Sequence, residues 1–146
     1  MRKIVLLLMF LLSVSCVHAA FAGDFPDAKR ALRKYVYHNG GEEFWCHASF
    51  DGRGEITDFA GYLVQGDRRR ASHVEWDHVV PASWFGRASE AWVNGSSACR
   101  DSAGRPFKGR RCAALVDPRF SELEGDMHNL VPSIGELNGL RGATRY

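Results

Sequence analysis

Residues 74–84 of this chain read VEWDHVVPASW and place a carboxylate beside a histidine at the end of an apolar alternation. Val74, Trp76 and His78 alternate with other positions, a pattern typical of a strand that is buried on one side. In a regular strand Asp77 and His78 point to opposite faces, so both serve one site only where the strand bulges or ends. Pro81 indicates an end just beyond His78.

A second polar cluster, DMHNLVP, occupies residues 126–132. The two clusters together supply His78, Asp77 and Asn129. An imidazole with an unperturbed pKa of about 6.5 is largely neutral at neutral pH and accepts a proton from water. Carboxylate and carboxamide oxygens suit Mg²⁺, which takes few protein ligands and keeps several waters. The combination predicts one metal ion and a general base acting on a phosphodiester. We expect that neither Asp77 nor Asn129, the two candidate ligands, matters much for folding.

Each of these three residues also has an ordinary structural interpretation. A histidine on an apolar strand face is commonly a core side chain, an aspartate there a strand-end carboxylate, and Asn129 a helix-terminal residue. A zinc site made of Cys46, His47, Cys99 and Cys112 is a rival metal centre. Structural zinc sites are typically built on closely spaced cysteine pairs, and this sequence has no such pair.

Charge is distributed unevenly along the chain. The formal net charge of the whole chain is +2, but between residues 68 and 111 nine basic side chains stand against four acidic ones. Such a stretch suits a polyanion, because phosphate contacts supply most of the non-specific affinity for nucleic acid. A solvated arginine-rich surface is the alternative. The candidate contacts to a nucleic-acid backbone are Arg105, Lys108, Arg110 and Arg111.

Arg87 follows Trp84-Phe85-Gly86 and is close enough in sequence to His78 to contact the scissile phosphate. We predict that its guanidinium offsets charge on the non-bridging phosphate oxygens during catalysis. An exposed arginine that packs on Trp84 is the alternative interpretation.

The first half of the chain carries three local structure signals. Pro26 begins a run with helical spacing that Asn39-Gly40-Gly41 ends, and we expect this helix to serve packing. Residues 44–50 and 56–64 predict a strand pair around a glycine-containing turn at residues 51–54.

The second half carries two more signals. Asp117 and Pro118 predict the start of a helix whose apolar spacing extends to Leu130, with Asn129 in its last turn. Residues 94–111 are rich in glycine, serine and arginine and lack apolar periodicity, which predicts a long surface loop.

Residues 1–22 have the features of a secretory signal peptide: a basic start, nine apolar residues and then small residues. Nine apolar residues are too few to span a bilayer. Val17-His18-Ala19 and Ala20-Phe21-Ala22 are alternative cleavage sites, and the second leaves one mature domain, residues 23–146. We expect this domain to be periplasmic or secreted and free of the membrane; a retained anchor and a lipid on Cys16 are the alternatives.

Three motifs give the chain a specific resemblance to a known family. They are EWDHVVPA at residues 75–82, GRPFKGRRC at residues 104–112 and DMHNLVPSIGELNGLR at residues 126–141. They resemble the motifs of the bacterial endonuclease I family. Members of that family are secreted or periplasmic, non-specific nucleases with a ββα-metal (His-Me) finger.

The resemblance implies an α+β fold that contains a ββα-metal finger and long surface loops. It implies His78 as the general base, Asp77 and Asn129 as Mg²⁺ ligands, and a nearby arginine that steadies the phosphate. Mn²⁺ and Ca²⁺ are the alternative ions. It further implies cleavage of DNA, and often of RNA, to 5′-phosphate products. We expect the protein to be a monomer.

The chain departs from the family's pattern in three ways. Asp77 stands where the family usually has glutamate, so its shorter arm would shift a metal ion or admit a bridging water. Ser89 stands where some relatives carry an arginine, which is why Arg87 is our candidate. Family members usually continue far beyond the segment that corresponds to Arg141, so we expect this chain to lack the usual C-terminal part.

The mature chain has three cysteines, an odd number in a compartment where disulfides form. Cys99 and Cys112 enclose the basic loop, and we expect them to be bonded, which typically contributes roughly 2–4 kcal/mol of stability. Cys46 is then left over. Relatives often carry further cysteines where Ala48 and Ala60 stand, consistent with the loss of one bridge.

The sequence therefore predicts an exported, Mg²⁺-dependent endonuclease with little sequence preference. His78 would deprotonate the attacking water, while the metal held by Asp77 and Asn129 stabilises the pentavalent phosphorus. One rival is a non-catalytic or degenerate nucleic-acid-binding relative. A second rival is a metal-dependent phosphoesterase for small molecules, which the arginine-rich loop disfavours because a small substrate needs few phosphate contacts.

Overall fold

A computed structural model of the protein describes residues 23–144, so the predicted signal peptide lies outside the described part of the chain. Helix α1 (Phe25–Ala31) continues as a π-helical turn over Leu32–Val36. The Asp24 carboxylate accepts a hydrogen bond from the backbone N–H of Asp27 and caps the helix. The helix predicted from the sequence is therefore confirmed.

A three-stranded antiparallel sheet follows α1. Its strands, in spatial order, are β1 (Gly41–Glu42), β2 (Ser49–Phe50) and β3 (Ile56–Asp58). The predicted strand pair with its turn is confirmed, but both strands are shorter than predicted: β2 covers only the last two of residues 44–50, and β3 only the first three of residues 56–64. Strand β3 ends before Ala60, whose φ of 48° places the backbone in a left-handed conformation that an extended strand cannot contain.

Short helices make up much of the rest of the chain. They are α2 (Arg68–Ala71), α3 (Ala82–Gly86), α4 (Glu90–Val93), α5 (Arg110–Val116), α6 (Pro118–Glu124) and α7 (Gly135–Arg141). Residues 94–109 connect α4 to α5 without a helix, which confirms the predicted loop except for Arg110 and Arg111, which begin α5. No helix within residues 23–144 is long and apolar enough to cross a membrane.

A second sheet pairs β4 (Val74–His78) with β5 (Leu130–Ile134) in an antiparallel register that sets His78 opposite Leu130. Helix α7 follows β5 directly and contacts both strands. The protein is thus a mixed α+β fold in which two strands and a helix form a compact β–β–α unit. As predicted, β4 ends at His78.

The helix predicted to extend to Leu130 ends much earlier. Its start is confirmed, since the Asp117 carboxylate accepts from the backbone N–H of Phe120. Helix α6 stops at Glu124, however, and the residues Met127–Asn129 form a 3₁₀ turn before β5. The helical spacing of Leu130 was misleading, because pairing with β4 outweighs a local preference.

Three apolar clusters form the core. Trp76 and Leu130 pack with Leu32 of the first helix, and a separate cluster surrounds the disulfide between Cys99 and Cys112. The third cluster, around Ile134, Ala48 and Ala71, includes the side chain of Cys46. The Cys99–Cys112 bond was predicted and is confirmed, and Cys46 is a free thiol.

A buried carboxylate ties the loop before α2 to the start of α7. Glu136 is 5% exposed, and its oxygens accept from the Tyr62 hydroxyl and from the backbone N–H groups of Gln65, Gly66 and Asp67. Burial raises the pKa of the Glu136 carboxyl, but these hydrogen bonds outweigh it, so the pKa lies below its ordinary value.

Because the folded-state pKa of Glu136 is lowered, its contribution to stability is present above its ordinary pKa of 4.5 and is lost as the pH falls through the folded-state value. We expect Glu136→Gln to destabilise the protein at neutral pH and to cost less in acid. Urea unfolding of the unmodified protein and of Glu136→Gln, each at neutral and at acidic pH, measures the difference in stability. An equal loss of stability at both would show that the charge of Glu136 is unimportant.

Candidate active site

A cavity of about 600 Å³ runs along β4. Trp76, Asp77 and His78 of β4 all contribute to its lining. Asp77 and His78 therefore line one cavity although they are neighbours in a strand. Elements from both ends of the chain, α1 and α7, supply further walls of the cavity.

His78 is buried in this cavity wall, with 4% of its surface exposed. Its ring lies 5.0 Å from the Phe25 ring and 6.1 Å from the Phe85 ring, measured between centroids. Nε2 lies 2.9 Å from the carbonyl oxygen of Glu124. A carbonyl oxygen only accepts hydrogen bonds, so Nε2 carries the proton and Nδ1 keeps a lone pair.

Burial lowers the pKa of His78 to about 4. The hydrogen bond to Glu124 opposes this shift, whereas the positive charges of Arg110 and Arg141 add to it. At neutral pH the imidazole is therefore uncharged and able to accept a proton at Nδ1. Its low pKa also makes it a weak base while the cavity contains no anion.

Asp77 is equally buried, at 3% exposure, and both of its carboxylate oxygens are engaged. Arg141 Nη1 donates to Oδ1 at 2.5 Å, and Trp45 Nε1 donates to Oδ2 at 3.2 Å. Burial raises the pKa of the Asp77 carboxyl, although the Arg141 charge and both hydrogen bonds oppose the shift. Asp77 is thus one half of a buried ion pair as well as a candidate ligand.

Arg141 makes several hydrogen bonds in the site, and the sequence assigned it no role. In addition to Asp77, its guanidinium donates to the carbonyl oxygens of His78 and Val79, both at 2.8 Å. Arg141 therefore anchors the end of α7 to the end of β4. The third sequence motif ends with this arginine, but nothing in the sequence indicated its partners.

Asn129 lies across from the end of β4, outside the lining of the cavity. Its Oδ1 accepts from the backbone N–H of Val80 at 2.7 Å, and its Nδ2 donates to the Val80 carbonyl at 3.0 Å. These two bonds fix the orientation of the amide. The Asn129 backbone carbonyl also accepts from the N–H of Val79 at 3.0 Å. Val79 follows Asp77 by two residues, just beyond the end of β4.

The donor chemistry of Asp77 and Asn129 fits Mg²⁺, because carboxylate and carboxamide oxygens are the hard ligands that this ion takes. In this structure both side chains accept from protein N–H groups, so a cation would share or displace those donors. Within residues 23–144 no group of three or more His, Cys, Asp or Glu side chains forms a metal site. The alternative zinc site is wrong, because Cys99 and Cys112 are bonded to each other.

Arg87 was predicted to contact the scissile phosphate and Arg110 the nucleic-acid backbone, and the structure places them differently. Arg110 lines the cavity together with His78, its Nε donates to the Glu124 carboxylate, and its guanidinium lies 5.0 Å from the Phe25 ring centroid. Glu124 thus bonds His78 through its backbone and Arg110 through its side chain. Arg87 is exposed and outside the cavity lining, and its contact with the phosphate stays a prediction.

The other predicted nucleic-acid contacts are exposed and lie outside the cavity lining, Arg105 and Lys108 on the loop and Arg111 at the start of α5. Arg105 is paired with Asp101 at 2.7 Å, the Arg111 guanidinium lies 4.2 Å from the Phe107 ring centroid, and Lys108 is exposed. Their role in binding stays a prediction. Of the four predicted contacts, Arg110 is the one that lines the cavity together with His78.

Comparison with known proteins places this site in context. The family model described as Endonuclease I matches residues 27–146. An extracellular deoxyribonuclease of Aeromonas hydrophila is 36% identical over 149 residues, which is 99% of this chain and 58% of the relative. A periplasmic deoxyribonuclease of the same species is 35% identical over 134 residues, 89% of this chain and 50% of the relative.

A shorter part of the chain matches Endonuclease-1 of Buchnera aphidicola subsp. Acyrthosiphon pisum. It is 36% identical over 86 residues, which is 59% of this chain and 29% of the relative. The chain spans about half the length of the two Aeromonas relatives described above, and less of the Buchnera protein.

Proposed function

Because the chain belongs to the endonuclease I family, we propose that it is an exported endonuclease that hydrolyses phosphodiester bonds of DNA with little sequence preference. The proposal includes Mg²⁺ dependence, 5′-phosphate products and RNA as a second substrate. The observation that carries it is the buried, neutral imidazole of His78, which has a defined tautomer and lines a cavity with Arg110. The names of the two Aeromonas relatives, extracellular and periplasmic deoxyribonuclease, support a location outside the cytoplasm.

We assign β4, β5 and α7 to the ββα-metal finger implied by the resemblance. The antiparallel register of the strands and the helix that follows β5 directly support this assignment. In it, His78 stands at the end of the first strand and Asn129 immediately before the second. The unit then holds the base and both candidate metal ligands on a short stretch of paired backbone, where neighbouring contacts limit their movement.

In the proposed mechanism, His78 Nδ1 accepts a proton from the attacking water. The Glu124 carbonyl holds Nε2–H, so the ring keeps its tautomer and the imidazolium that forms is stabilised. Arg110 binds the phosphate through its remaining N–H groups. A phosphate bound there would offset the Arg110 charge that lowers the pKa of His78, which would make His78 a stronger base when substrate is present.

Asp77 and Asn129 would hold the Mg²⁺ ion. When bound, such an ion stabilises negative charge on the phosphoryl and leaving oxygens. Arg141 fixes the orientation of the Asp77 carboxylate, and Val80 fixes that of the Asn129 amide, so neither ligand has to be ordered when a cation arrives.

We expect Asn129→Ala to raise the Mg²⁺ concentration needed for half-maximal cleavage, because it removes one oxygen ligand. Asp77→Glu should be tolerated, since it restores the residue usual in the family and keeps the charge facing Arg141. The measurement is a Mg²⁺ titration of cleavage rate. Asn94→Ala, on an exposed loop, is the matched control. An unchanged Mg²⁺ requirement in Asn129→Ala would remove Asn129 from the metal site.

The experiment that tests the function is plasmid nicking by the oxidised protein in Mg²⁺ and in EDTA. Supercoiled DNA should become nicked in Mg²⁺ alone, and the new ends should carry 5′ phosphates that a 5′-phosphate-dependent ligase can seal. A pure preparation without nicking in Mg²⁺ or Mn²⁺ would contradict the proposal.

A non-catalytic, nucleic-acid-binding relative is the second candidate. The Arg141 guanidinium on Asp77 favours it, because a cation already occupies the carboxylate that would hold the metal ion. Under this alternative the protein binds DNA but does not nick it with any divalent ion. The same nicking experiment, combined with a binding measurement, separates the two functions.

A further inference from the structure

The first helix contributes two cations to the cavity that contains His78. Lys29 lies on α1 and Arg33 on its π-helical continuation, and both line the cavity. The sequence indicated only a packing role for this helix, and its Ala28 and Leu32 do pack in the core. The helix therefore presents one apolar side to the core while Lys29 and Arg33 lie at the cavity.

Lys29 and Arg33 differ from the other basic residues of the cavity wall in their partners. Within the part of the chain that the structure describes, neither of them forms an ion pair. The other cavity-lining cations are each paired with a carboxylate: Arg70 with Glu75, Arg110 with Glu124 and Arg141 with Asp77. Lys29 and Arg33 thus carry positive charge that no described carboxylate offsets, and this charge is available to an anion entering the cavity.

The ring of Phe25 connects Lys29 to the candidate base. Lys29 Nζ lies 4.5 Å from its centroid and the Arg110 guanidinium 5.0 Å, so two cations contact one ring. The same ring lies 5.0 Å from the His78 ring. The Lys29 ammonium is therefore one aromatic ring away from His78, a distance of one to a few nucleotides on a strand that rises about 3.4 Å per nucleotide.

From this arrangement we infer that Lys29 and Arg33 form a binding surface for the DNA backbone, which contacts phosphates adjacent to the one that is cleaved. The inference rests on the proposed function. It assigns the path of the substrate strand: the strand leaves the site of His78 and Arg110 along α1. Contacts to flanking phosphates position the strand without taking part in bond cleavage, so Lys29 and Arg33 affect affinity and its salt dependence.

The test uses three variants of the full chain: Lys29→Gln, Arg33→Gln and the double variant that carries both. They are compared with the control variant Lys34→Gln. Lys34 is the matched control, because it lies on the same helical segment, is exposed and does not line the cavity. Binding to a fluorescein-labelled DNA duplex of mixed sequence is measured by anisotropy in EDTA over a range of salt concentrations. Nicking in Mg²⁺ is measured with saturating protein, and urea unfolding checks the fold.

Each of the two substitutions should weaken binding several-fold and lower the slope of log affinity against log salt by about 0.9. The double variant should lose about twice that slope, while its nicking rate at saturation and its urea midpoint stay those of the unmodified protein. Lys34→Gln should leave the slope unchanged.

Equal slopes for the double variant and Lys34→Gln would overturn the inference, even if the protein nicks DNA. A lowered slope in a protein that does not nick would support the binding surface and contradict the nuclease function. If the unmodified protein neither binds nor nicks DNA, both proposals fail.

Discussion

Replacing His78 with alanine is expected to lower the rate of plasmid nicking at least ~100-fold while DNA affinity changes only a few-fold. The physical reason is that a general base acts on the attacking water and contributes little to the binding of the ground state. His78 is the cavity-lining residue with an available neutral nitrogen, because the Glu124 carbonyl holds the proton on Nε2. The measurements are single-turnover nicking in Mg²⁺ and anisotropy binding in EDTA.

His128→Ala is the matched control. His128 lies two residues before Leu130, which pairs with His78 in the sheet, but the His128 side chain is 96% exposed. Because His78 is buried, His78→Gln is measured as well; it keeps most of the volume, and its urea midpoint separates loss of the base from loss of the fold. Folded His78 variants that nick DNA at nearly the unmodified rate would eliminate His78 as the base.

Replacing Asp77 with alanine is expected to destabilise the fold by about 3–5 kcal/mol, because it leaves the buried guanidinium of Arg141 without its carboxylate. The Asp77 and Arg141 side chains are only 4% and 6% exposed. This burial argues against the sequence expectation that Asp77 matters little for folding. Urea unfolding of the metal-free protein in EDTA measures the effect independently of any bound ion.

A double variant, Asp77→Ala with Arg141→Met, tests the same pair from the other side. Removing both charges avoids an uncompensated buried ion, so we expect it to be more stable than Asp77→Ala alone. If Asp77→Ala costs less than about 1 kcal/mol, or the double variant is the less stable of the two, the ion pair does not hold α7 to β4.

Loss of the Asp77–Arg141 ion pair would also affect the candidate active site. Arg141 bonds the backbone carbonyls of His78 and Val79, so its displacement releases the end of β4 where the candidate base lies. Asp77 therefore has two functions in the proposed enzyme: it is a candidate metal ligand, and it secures the helix that closes the β–β–α unit. Asp77→Glu should preserve both, because it keeps the charge that faces Arg141 and restores the carboxylate usual in the family.

Local patterns determined several features of this protein. Alternation of apolar residues predicted β4, the Asp117-Pro118 pair predicted the start of α6, and Cys99 and Cys112 were matched across their loop. The three motifs also established the family and indicated His78, Asp77 and Asn129 as the residues to examine. These features depend on neighbours in the sequence, or on residue types whose chemistry is informative alone.

Only the tertiary structure decided which groups meet. Residues 130–134 form a strand because β4 lies beside them, although the spacing of Leu130 with Met127 resembled a helix. The hydrogen bond between Arg141 and Asp77 joins residues 64 positions apart, and Lys29 reaches the cavity from the other end of the chain. Such contacts are set by the packing of whole elements against one another, and periodicity within a short segment carries no information about them.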